Sequence, residues 1–396
     1  MQEVYLVGYS RTAFGKLGGV FKNEPGAKLA AHVLKDILVR TGVSADQVEN
    51  VILGQTRMDT EAANIARYSL LLAGYPETCP GYSIMQQCSS GMQAVQNAAD
   101  EIRLGRADLI VAGGVEALSV VPFYVKGTRY GLGVGNTTFV DPIPEGQINS
   151  QPVSMYGSFG MGMTAENIAA KDGITREEQD AFAFQSQSRY QAAMQAGKFA
   201  EEIAPYTIPQ KKGDPIVIDK DEHPRLTPLD KLATLKPVFK ADGTVTAANA
   251  CGRNDGAAVV MLASEKKVKE LGLKPIARFV DQAVAALDPR YMGLGPVYAT
   301  KKLLARTGLT VDDIDLFELN EAFAAQSLGC IKELGLDQAK VNVNGGAIAI
   351  GHPMGATGAR IIGTLALEMQ RRGSKLGIAT LCVGGGLGSA TLIERV

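Results

Sequence analysis

Residues 34–51 read LKDILVRTGVSADQVENV, and residues 300–317 read TKKLLARTGLTVDDIDLF. Each stretch predicts the same unit: an amphipathic helix, a glycine that ends it, a Ser or Thr that begins a short turn, and an apolar strand. The triplet Arg-Thr-Gly is identical at 40–42 and 306–308. A repeated unit of this length predicts a chain that folds as two similar halves.

The repeat resumes further along the chain. The helix start at 88–92 parallels 355–359, and the apolar strand at 109–114 parallels 379–385. In both halves strands alternate with helices and are continuously apolar, which is typical of parallel-rich sheets covered on both faces. We therefore expect two similar α/β domains packed together, with functional loops at matching strand ends. The alternative is a chance similarity.

Residues 121–245 lack this alternation. They contain turns rich in Gly, Asn and Thr and an Ala/Gln-rich helix whose start, Thr175-Arg-Glu-Glu, is a capping box. A segment this long predicts an inserted subdomain, and the apolar run at 257–263 then completes the first sheet. The predicted division is an N-terminal domain (1–120 plus 246–268), an inserted loop domain (121–245) and a C-terminal domain (269–396).

Composition limits the function classes. The 396 residues are 46% hydrophobic and 20% charged, with net charge −1, so large cores are expected and nucleic acid or an anionic membrane is not expected as a partner. Five cysteines without disulfide or metal-ligand spacing favour a reducing compartment. With no apolar run near the roughly 20 residues of a membrane span, and no recognisable targeting segment, the expected localisation is cytoplasmic.

Cys88 lies in the turn QQCSSGM (86–92), directly before a predicted helix. A helix N-terminus presents a positive dipole end and unsatisfied N–H groups, which together lower the pKa of a thiol below its free value of about 8.5. We therefore expect Cys88 to be a thiolate nucleophile. The alternative is a small buried residue that packs the turn.

Three further residues lie in turns or at strand ends. His352, in GHPMGATGAR, could take the proton of Cys88 and then donate a hydrogen bond to a thioester oxygen. Cys382 ends a strand and precedes three glycines, whose N–H groups can converge on an anion. Asn320 follows an apolar strand and could hold a water or bind a carbonyl. The alternatives are a structural histidine, a strand-core cysteine and a helix N-cap.

Together these segments resemble the thiolase family, the acetyl-CoA C-acyltransferases. The resemblance runs nearly end to end, through RTAFGK (11–16), GGVEALS (113–119), MGMTAEN (161–167), GTVTAANA (243–250) and the C-terminal CVGGG. It implies the five-layered αβαβα fold, two similar α/β domains with an inserted loop domain. It also implies two-step acyl transfer in 3-ketoacyl-CoA thiolysis or Claisen condensation. CoA and acyl-CoA are then the substrates, no metal or other cofactor is needed, and the chain forms homodimers or homotetramers.

The resemblance also implies roles for matching residues. Cys88 is expected to be acylated, with His352 as its base and as part of a first oxyanion hole. Asn320 is expected to hold the water that completes this hole, and Cys382 to exchange a proton with the α-carbon or the departing CoA sulfur. The N–H groups of Cys88 and Gly384 are expected to form a second oxyanion hole. Positions matching contacts of the CoA arm or the acyl pocket are Met161, Arg225, Ala247, Cys251, Met292, Ala322 and Phe323.

Three positions depart from the family pattern. Met85 stands where the family usually has Asn, Gly160 where acetoacetyl-specific members often have His, and Cys251 where a serine contacts pantetheine. A thiol is a weaker hydrogen-bond donor than a hydroxyl, so we expect altered CoA binding.

These departures leave rival interpretations open. One is a catalytically silent, thiolase-like subunit that binds acyl-CoA. Others are a decarboxylating condensing enzyme of the same fold and a cysteine hydrolase that uses Cys88, His352 and Asn320. The second thiol at Cys382 argues against the last two.

Overall fold

The computed structural model describes residues 2–58 and 60–396. Its strands are β1 (Val4–Arg11), β2 (Gly15–Lys16), β3 (Asn50–Gly54), β4 (Gly81–Ile84), β5 (Leu109–Ala117), β6 (Tyr206–Ile208), β7 (Ile216–Ile218), β8 (Asn254–Ser264), β9 (Ala277–Ala286), β10 (Leu316–Leu319), β11 (Leu376–Val383) and β12 (Leu387–Arg395). Its α-helices are α1 (Gly26–Thr41), α2 (Ile65–Leu72), α3 (Ser90–Arg103), α4 (Pro142–Ile148), α5 (Val153–Tyr156), α6 (Met161–Asp172), α7 (Arg176–Gln195), α8 (Leu229–Ala233), α9 (Glu265–Leu271), α10 (Gly295–Thr307), α11 (Ala324–Leu334), α12 (Ala347–Ile350) and α13 (Met354–Arg372).

The long strands form one hydrogen-bonded path in the order β10-β11-β12-β9-β1-β8-β5-β3-β4, with β2 beside β8. The two halves meet where β1 pairs with β9 over only two positions, Tyr5 with Arg278 and Leu6 with Ala277. Each half is mixed: β3 runs parallel to β4 and β5, and β10 runs parallel to β11, whereas β8 and β12 are antiparallel to their neighbours.

Alternating side chains of the strands divide the interior into three cores. On β5, Leu109 and Val111 face an outer core beneath α1 and α2, whereas Ile110 faces a central core. In the other half, Ile378 faces a second outer core and Ala379 faces the same central core. The central core contains α3 and α13, and the second outer core contains α10 and α11. Three helical layers separated by two sheet layers are the predicted five-layered αβαβα fold.

The two copies of the repeat fold alike, as the sequence predicted. Helix α1 ends at Gly42 with φ 69°, and α10 ends at Gly308 with φ 70°. Both values lie in the left-handed region that glycine adopts without steric cost. A 3-10 turn follows each glycine, at Ala45–Gln47 and Val311–Asp313, and leads into β3 and β10.

The segment between β5 and β8 contains helices α4 to α8 and the small hairpin of β6 and β7. The predicted capping box is present, because Thr175 accepts from Glu178 N and Glu178 accepts from Thr175 N. Strand β8 pairs with β1 and β5 and completes the first sheet. The three-part division at 121, 245 and 269 stays a prediction. Within residues 2–58 and 60–396, no helix is long and apolar enough to cross a membrane.

Candidate active site

The site begins where the N-termini of α3 and α13 cross. A Cβ built on Gly91 of α3 would lie 2.5 Å from the carbonyl oxygen of Gly355, and one built on Gly358 of α13 would overlap the backbone of Met92. Only glycine permits backbones to approach this closely. The crossing therefore brings together the two turns that precede these helices, which carry Cys88 and His352.

The Cys88 turn is strained and tightly held. Gln87, directly before the cysteine, has φ 47°, in the left-handed region that side chains other than glycine rarely adopt. Ser90 Oγ accepts from Gln86 N at 2.9 Å and donates to the carbonyl oxygen of Gln87 at 2.7 Å. Ser89 Oγ also donates to Gln86 O at 3.0 Å. These bonds hold the cysteine in one orientation ahead of α3.

Cys88 is a thiol at rest, so the expected lowering of its pKa is wrong. Burial raises the pKa of Cys88 to about 11, although the Gly384 N–H bonded to its sulfur and the charge of Arg57 both lower it. The helix starts two residues later, at Ser90, and does not offset the loss of water around the sulfur. Cys88 can therefore react only if a base takes its proton during the attack.

His352 is fixed in the tautomer that such a base needs. Its Nδ1 lies 2.7 Å from Thr357 Oγ1, and that hydroxyl donates its proton to Pro353 O at 3.0 Å. Thr357 Oγ1 must then accept from Nδ1–H, which leaves the lone pair on Nε2. The His352 N–H donates to Asn254 Oδ1 at 3.0 Å, so both backbone and ring are held.

The imidazole of His352 is neutral. Burial, helped by the positive charge of Arg360, lowers the pKa of His352 to about 3. Nε2 is buried and has no hydrogen-bond partner in the described part of the chain. Buried polar atoms are rarely left unpaired, so this nitrogen is free to take a proton from a thiol.

Asn320 presents a second unpaired group. It is fully buried, and neither its Oδ1 nor its Nδ2 bonds to any residue that the structure describes. Its backbone N–H donates to Thr380 O at 2.9 Å, which anchors it to β11. Helix α11 begins only at Ala324, so Asn320 is not a helix N-cap. An amide buried without partners is costly, which favours a role in binding.

Two buried carboxylates that sequence reasoning missed tie the loops together. Glu321 accepts from Ser186 Oγ, Asn342 Nδ2 and Ile348 N. In the other half, Glu116 accepts from Thr56 N, Arg57 N and Gly355 N. Each joins segments far apart in sequence. The only sequence signals were their places in GGVEALS (113–119) and directly after Asn320.

Cys382 lies near the end of β11, and Gly384 begins the turn between β11 and β12. Gly385 and Gly386 have φ 88° and 84°, which only glycine adopts readily. Cys382 is buried, and burial raises its pKa well above the ordinary range, with Cys88 as the next contributor. The two thiols are therefore close enough to interact, and Cys382 is protonated at rest. A Cβ on Gly384 would lie 3.2 Å from Ser150 Oγ and 3.6 Å from Met161 Sδ.

A cavity of about 600 Å³ opens beside the loop that carries Cys251. Of the predicted CoA contacts it includes Arg225 and Ala247. The other polar residues of its wall, which were not predicted as contacts from the sequence, are Lys16, Gln187, His223, Thr227 and Arg253.

The remaining predicted contacts lie deeper in the site. Met292, Ala322 and Phe323 are buried in the outer core of the second half, and Met161 packs against that core. Cys251 donates its N–H to Ala322 O at 3.0 Å, and burial raises its pKa to about 12, so it too is a neutral thiol. Of the departures, Met85 is largely exposed and Gly160 precedes α6. The described residues hold no cluster of three or more His, Cys, Asp or Glu able to bind a metal.

Comparisons with known proteins cover nearly the whole chain. The family model described as thiolase, N-terminal domain matches residues 4–266, and that described as thiolase, C-terminal domain matches residues 273–395. An acetyl-CoA acetyltransferase of Chromobacterium violaceum is 50% identical over 394 residues, which cover 99% of this chain and 100% of that protein.

Solved structures of two related proteins superpose on nearly the whole chain. The acetyl-CoA acetyltransferase of Bacillus anthracis superposes with a TM-score of 0.96 at 46% identity, covering 100% of this chain and 99% of that one. A human mitochondrial 3-ketoacyl-CoA thiolase in complex with CoA superposes with a TM-score of 0.93 at 40% identity, covering 100% and 98%.

Proposed function

The chain belongs to the thiolase family, and from that premise we propose that it transfers acyl groups between CoA thioesters through an acyl-cysteine on Cys88. It is an acyltransferase that cleaves 3-ketoacyl-CoA with CoA or, in reverse, condenses acyl-CoA with acetyl-CoA. The observation that carries the residue assignment is a strained cysteine turn paired, across the helix crossing, with a neutral histidine whose Nε2 is unpaired among the described residues.

In the first step, Cys88 Sγ attacks the substrate carbonyl while Nε2 of His352 takes its proton. Because the thiol has a pKa of about 11 and the imidazole a pKa of about 3, the ion pair does not form before substrate arrives. Charge instead passes to the carbonyl oxygen as the carbon–sulfur bond forms. Collapse of this intermediate expels the enolate of acetyl-CoA in cleavage, or CoA thiolate in condensation, and leaves acyl-Cys88.

Cys382 is proposed to donate and remove the proton at the α-carbon. In cleavage it donates a proton to the departing enolate, and this direction suits a group whose pKa lies well above the ordinary range. The Cys382 thiolate then takes the proton of the incoming CoA thiol. CoA thiolate attacks acyl-Cys88 and releases the shortened acyl-CoA, and the Cys88 sulfur regains its proton from His352. In condensation Cys382 first donates its proton to the departing CoA thiolate. The Cys382 thiolate that remains then removes the α-proton of acetyl-CoA, and the enolate attacks acyl-Cys88.

Two sets of donors meet the developing oxyanions. One is the His352 imidazolium, once it has taken the proton, with a water held by Asn320. The other is the pair of N–H groups of Cys88 and Gly384. A preorganised donor of this kind is worth about 3 kcal/mol in the transition state. Support comes from the unpaired Asn320 amide and from the Gly384 N–H bonded to the Cys88 sulfur.

The cavity beside Cys251 is proposed to hold the CoA arm, with CoA thioesters as substrates and no bound cofactor. Lys16, Arg225 and Arg253 supply positive charge for its phosphates. Ala247 of the cavity wall is proposed to contact the arm. Deeper positions proposed to contact the arm or the acyl group are Met161, Cys251, Met292, Ala322 and Phe323.

We propose a homotetramer built from dimers, acting in the cytoplasm in fatty acid metabolism, β-oxidation included. Large apolar side chains are exposed along the inserted segment, at Phe123, Tyr130, Leu132 and Phe139, and contiguous apolar surface is typical of subunit contacts. The free thiols of all five cysteines suit a reducing compartment. Light scattering coupled to size-exclusion chromatography tests the tetramer.

One experiment tests the core of the proposal. The protein is incubated with acetyl-CoA or acetoacetyl-CoA alone, digested under acid conditions and examined by mass spectrometry. We expect an acetyl adduct on the peptide that contains Cys88, and none in Cys88→Ala. No adduct in the wild type would favour a silent acyl-CoA-binding subunit, and an adduct that persists in Cys88→Ala would place the nucleophile elsewhere.

A further inference from the structure

A buried ion pair links the strand that ends directly before Asn320 to the helix that fixes His352. Glu318 Oε2 of β10 lies 3.2 Å from Arg360 Nη1 of α13, with side-chain exposures of 3% and 0%. Taking two charges out of water costs several kcal/mol per ion, and such pairs are weak evidence for stability. The location of the pair, described next, indicates a role in positioning active-site residues.

The pair lies in the central layer, between the strand that leads to Asn320 and the helix that follows His352. Along β10, Leu316 faces the central core, whereas Phe317 and Leu319 face the outer core. By the two-residue period of a strand, Glu318 and Asn320 therefore point toward α13. On α13, Arg360 lies one turn after Thr357, which accepts the Nδ1 proton of His352. The ion pair thus joins the support of Asn320 to the support of His352.

Arg360 also acts on His352 through its charge. Its Nε and Nη2 have no hydrogen-bond partner within the described residues, so its positive charge is only partly compensated, and it adds to burial in lowering the pKa of His352.

Other ionisable groups face the pair from neighbouring elements. Burial raises the pKa of Glu318, with Arg360 opposing the rise and Glu202, Glu321 and Glu368 adding to it. Tyr9 of β1 lies in the same field, since Arg11, Glu202 and Arg360 all act on its pKa.

We propose that Glu318 and Arg360 are positioning residues for the thiolase reaction, which hold Asn320 and His352 in register across β10 and α13. The inference rests on the proposed function. Neither side chain touches the reacting atoms. Removing either one lets the strand end and the helix start shift relative to each other, and a displacement of about 1 Å can cost 10²-fold in rate.

The test compares four variants by the rate of Cys88 acylation from acetyl-CoA and by its dependence on pH. Arg360→Met should lower the acylation rate by about 10²-fold with little change in KM, because it misplaces groups that act in the transition state. Loss of the cation should also move the acid limb of the pH profile toward the ordinary histidine value of about 6.5. Arg360→Lys keeps the charge and should restore the pH profile but only part of the rate.

Glu318→Gln should lower the rate, because it removes the charge that pairs with Arg360. It should leave the acid limb in place, because burial raises the pKa of Glu318 and the carboxyl is protonated at such low pH. Lys198→Met is the matched control: Lys198 pairs with Glu368 at 2.9 Å, two turns further along α13. It should lower the melting temperature and leave the rate and pH profile unchanged.

The outcomes distinguish failure of the proposed function from failure of the positioning role. Absence of acylation in the wild type contradicts the proposed function. Wild-type acylation together with unchanged rates and pH profiles in folded Arg360→Lys and Glu318→Gln overturns the positioning role, even where Arg360→Met does not fold. The positioning role is also overturned if each variant, Lys198→Met included, loses acylation rate in proportion to its fall in melting temperature. The pair would then contribute only to stability.

Discussion

The two halves of the molecule share one plan and differ at one connection. In the second half, β11 and β12 form a hairpin closed by three glycines, with Val383 opposite Leu387. In the first half the matching strands, β5 and β8, pair with Ala117 opposite Asp255 but are separated by the whole inserted segment. The tight turn aims a backbone N–H at Cys88, whereas the open connection carries Ala183, Gln187 and Arg225 of the cavity wall. The β11–β12 turn thus contributes to catalysis, whereas the equivalent connection between β5 and β8 contributes to substrate binding.

The two reactive turns, which carry Cys88 and His352, also occupy equivalent positions and differ in structure. Cys88 and His352 precede equivalent helices, yet the first follows a strained Gln87 and the second follows Gly351 with φ 107°. The strained turn is held by the Ser89 and Ser90 hydroxyls, and the glycine turn by Asn254 and Thr357. We infer that the first half supplies a nucleophile and the second half its base. The predictions below test this asymmetry, from the largest expected effect to the smallest.

Removing the base should have the largest effect. Gln in place of His352 cannot take a proton, so His352→Gln should lower the acylation rate by about 10³-fold, within the range for a lost general base. The wild-type profile is informative too: a histidine is a base only when neutral, and a pKa of about 3 keeps it neutral well below the ordinary value. Acylation should therefore show no histidine limb as the pH falls from about 8 to about 5.

The control for this variant is His32→Gln. His32 lies on α1, and its Nε2 is 3.3 Å from Ala204 O, a contact outside the site. Its replacement should leave acylation at the wild-type rate. Equal losses in both variants would show that histidine replacement acts through stability alone. A wild-type rate that falls with an apparent pKa near 6.5 would contradict the buried, neutral His352.

The repeat explains how much could be predicted from sequence. Helix ends, turns and strands follow from local residue types, so Gly42 and Gly308 predicted equivalent helix ends. The Cys88 and His352 turns were likewise visible as reactive residues ahead of small-residue helices.

Long-range effects could not be predicted in the same way. The pKa of Cys88 depends on burial by distant segments and an N–H from Gly384. The Glu318–Arg360 pair joins residues 42 positions apart. The sheet becomes continuous through only two pairs of residues between β1 and β9. Such contacts leave no periodic signal in one sequence.

Cys382→Ser should separate the two thiols. Acylation depends on Cys88 and His352 and should persist. Exchange of the acetyl-CoA α-proton with solvent deuterium needs Cys382 and should fall about 10²-fold. Cys330→Ser is the matched control, because Cys330 is also a buried thiol, bonded to Gly293 O at 3.2 Å, and has no proposed role. Exchange at the wild-type rate in Cys382→Ser would make Cys382 a strand-core residue.

The helix crossing can be disturbed from the second half alone. Gly358→Ala should raise helix propensity by about 1 kcal/mol, yet its Cβ would overlap Met92. We expect a net loss of about 1–3 kcal/mol in stability and a roughly tenfold slower acylation, since Cys88 and His352 move apart.

Gly308→Ala provides the comparison for this variant. Gly308 ends α10 with φ 70°, and a Cβ there would meet open space. It should cost about 1 kcal/mol through backbone strain, with no change in acylation of the folded enzyme. Slower acylation in both variants, in proportion to stability, would show that the crossing does not set the position of the site.

Cys251 gives the smallest expected effect, because it concerns binding rather than chemistry. It stands where the resemblance implies a serine that contacts pantetheine, and its neutral thiol is a weak donor. Cys251→Ser should lower KM for CoA thioesters by the equivalent of one neutral hydrogen bond, about 0.5–1.5 kcal/mol. The kcat should change little, since the contact is the same in the ground and transition states. Cys79→Ser, a buried cysteine in the outer core of the first half, should leave KM unchanged. A large fall in kcat with constant KM in Cys251→Ser would instead assign Cys251 to the chemistry, and would move the boundary between binding and catalysis into the inserted connection.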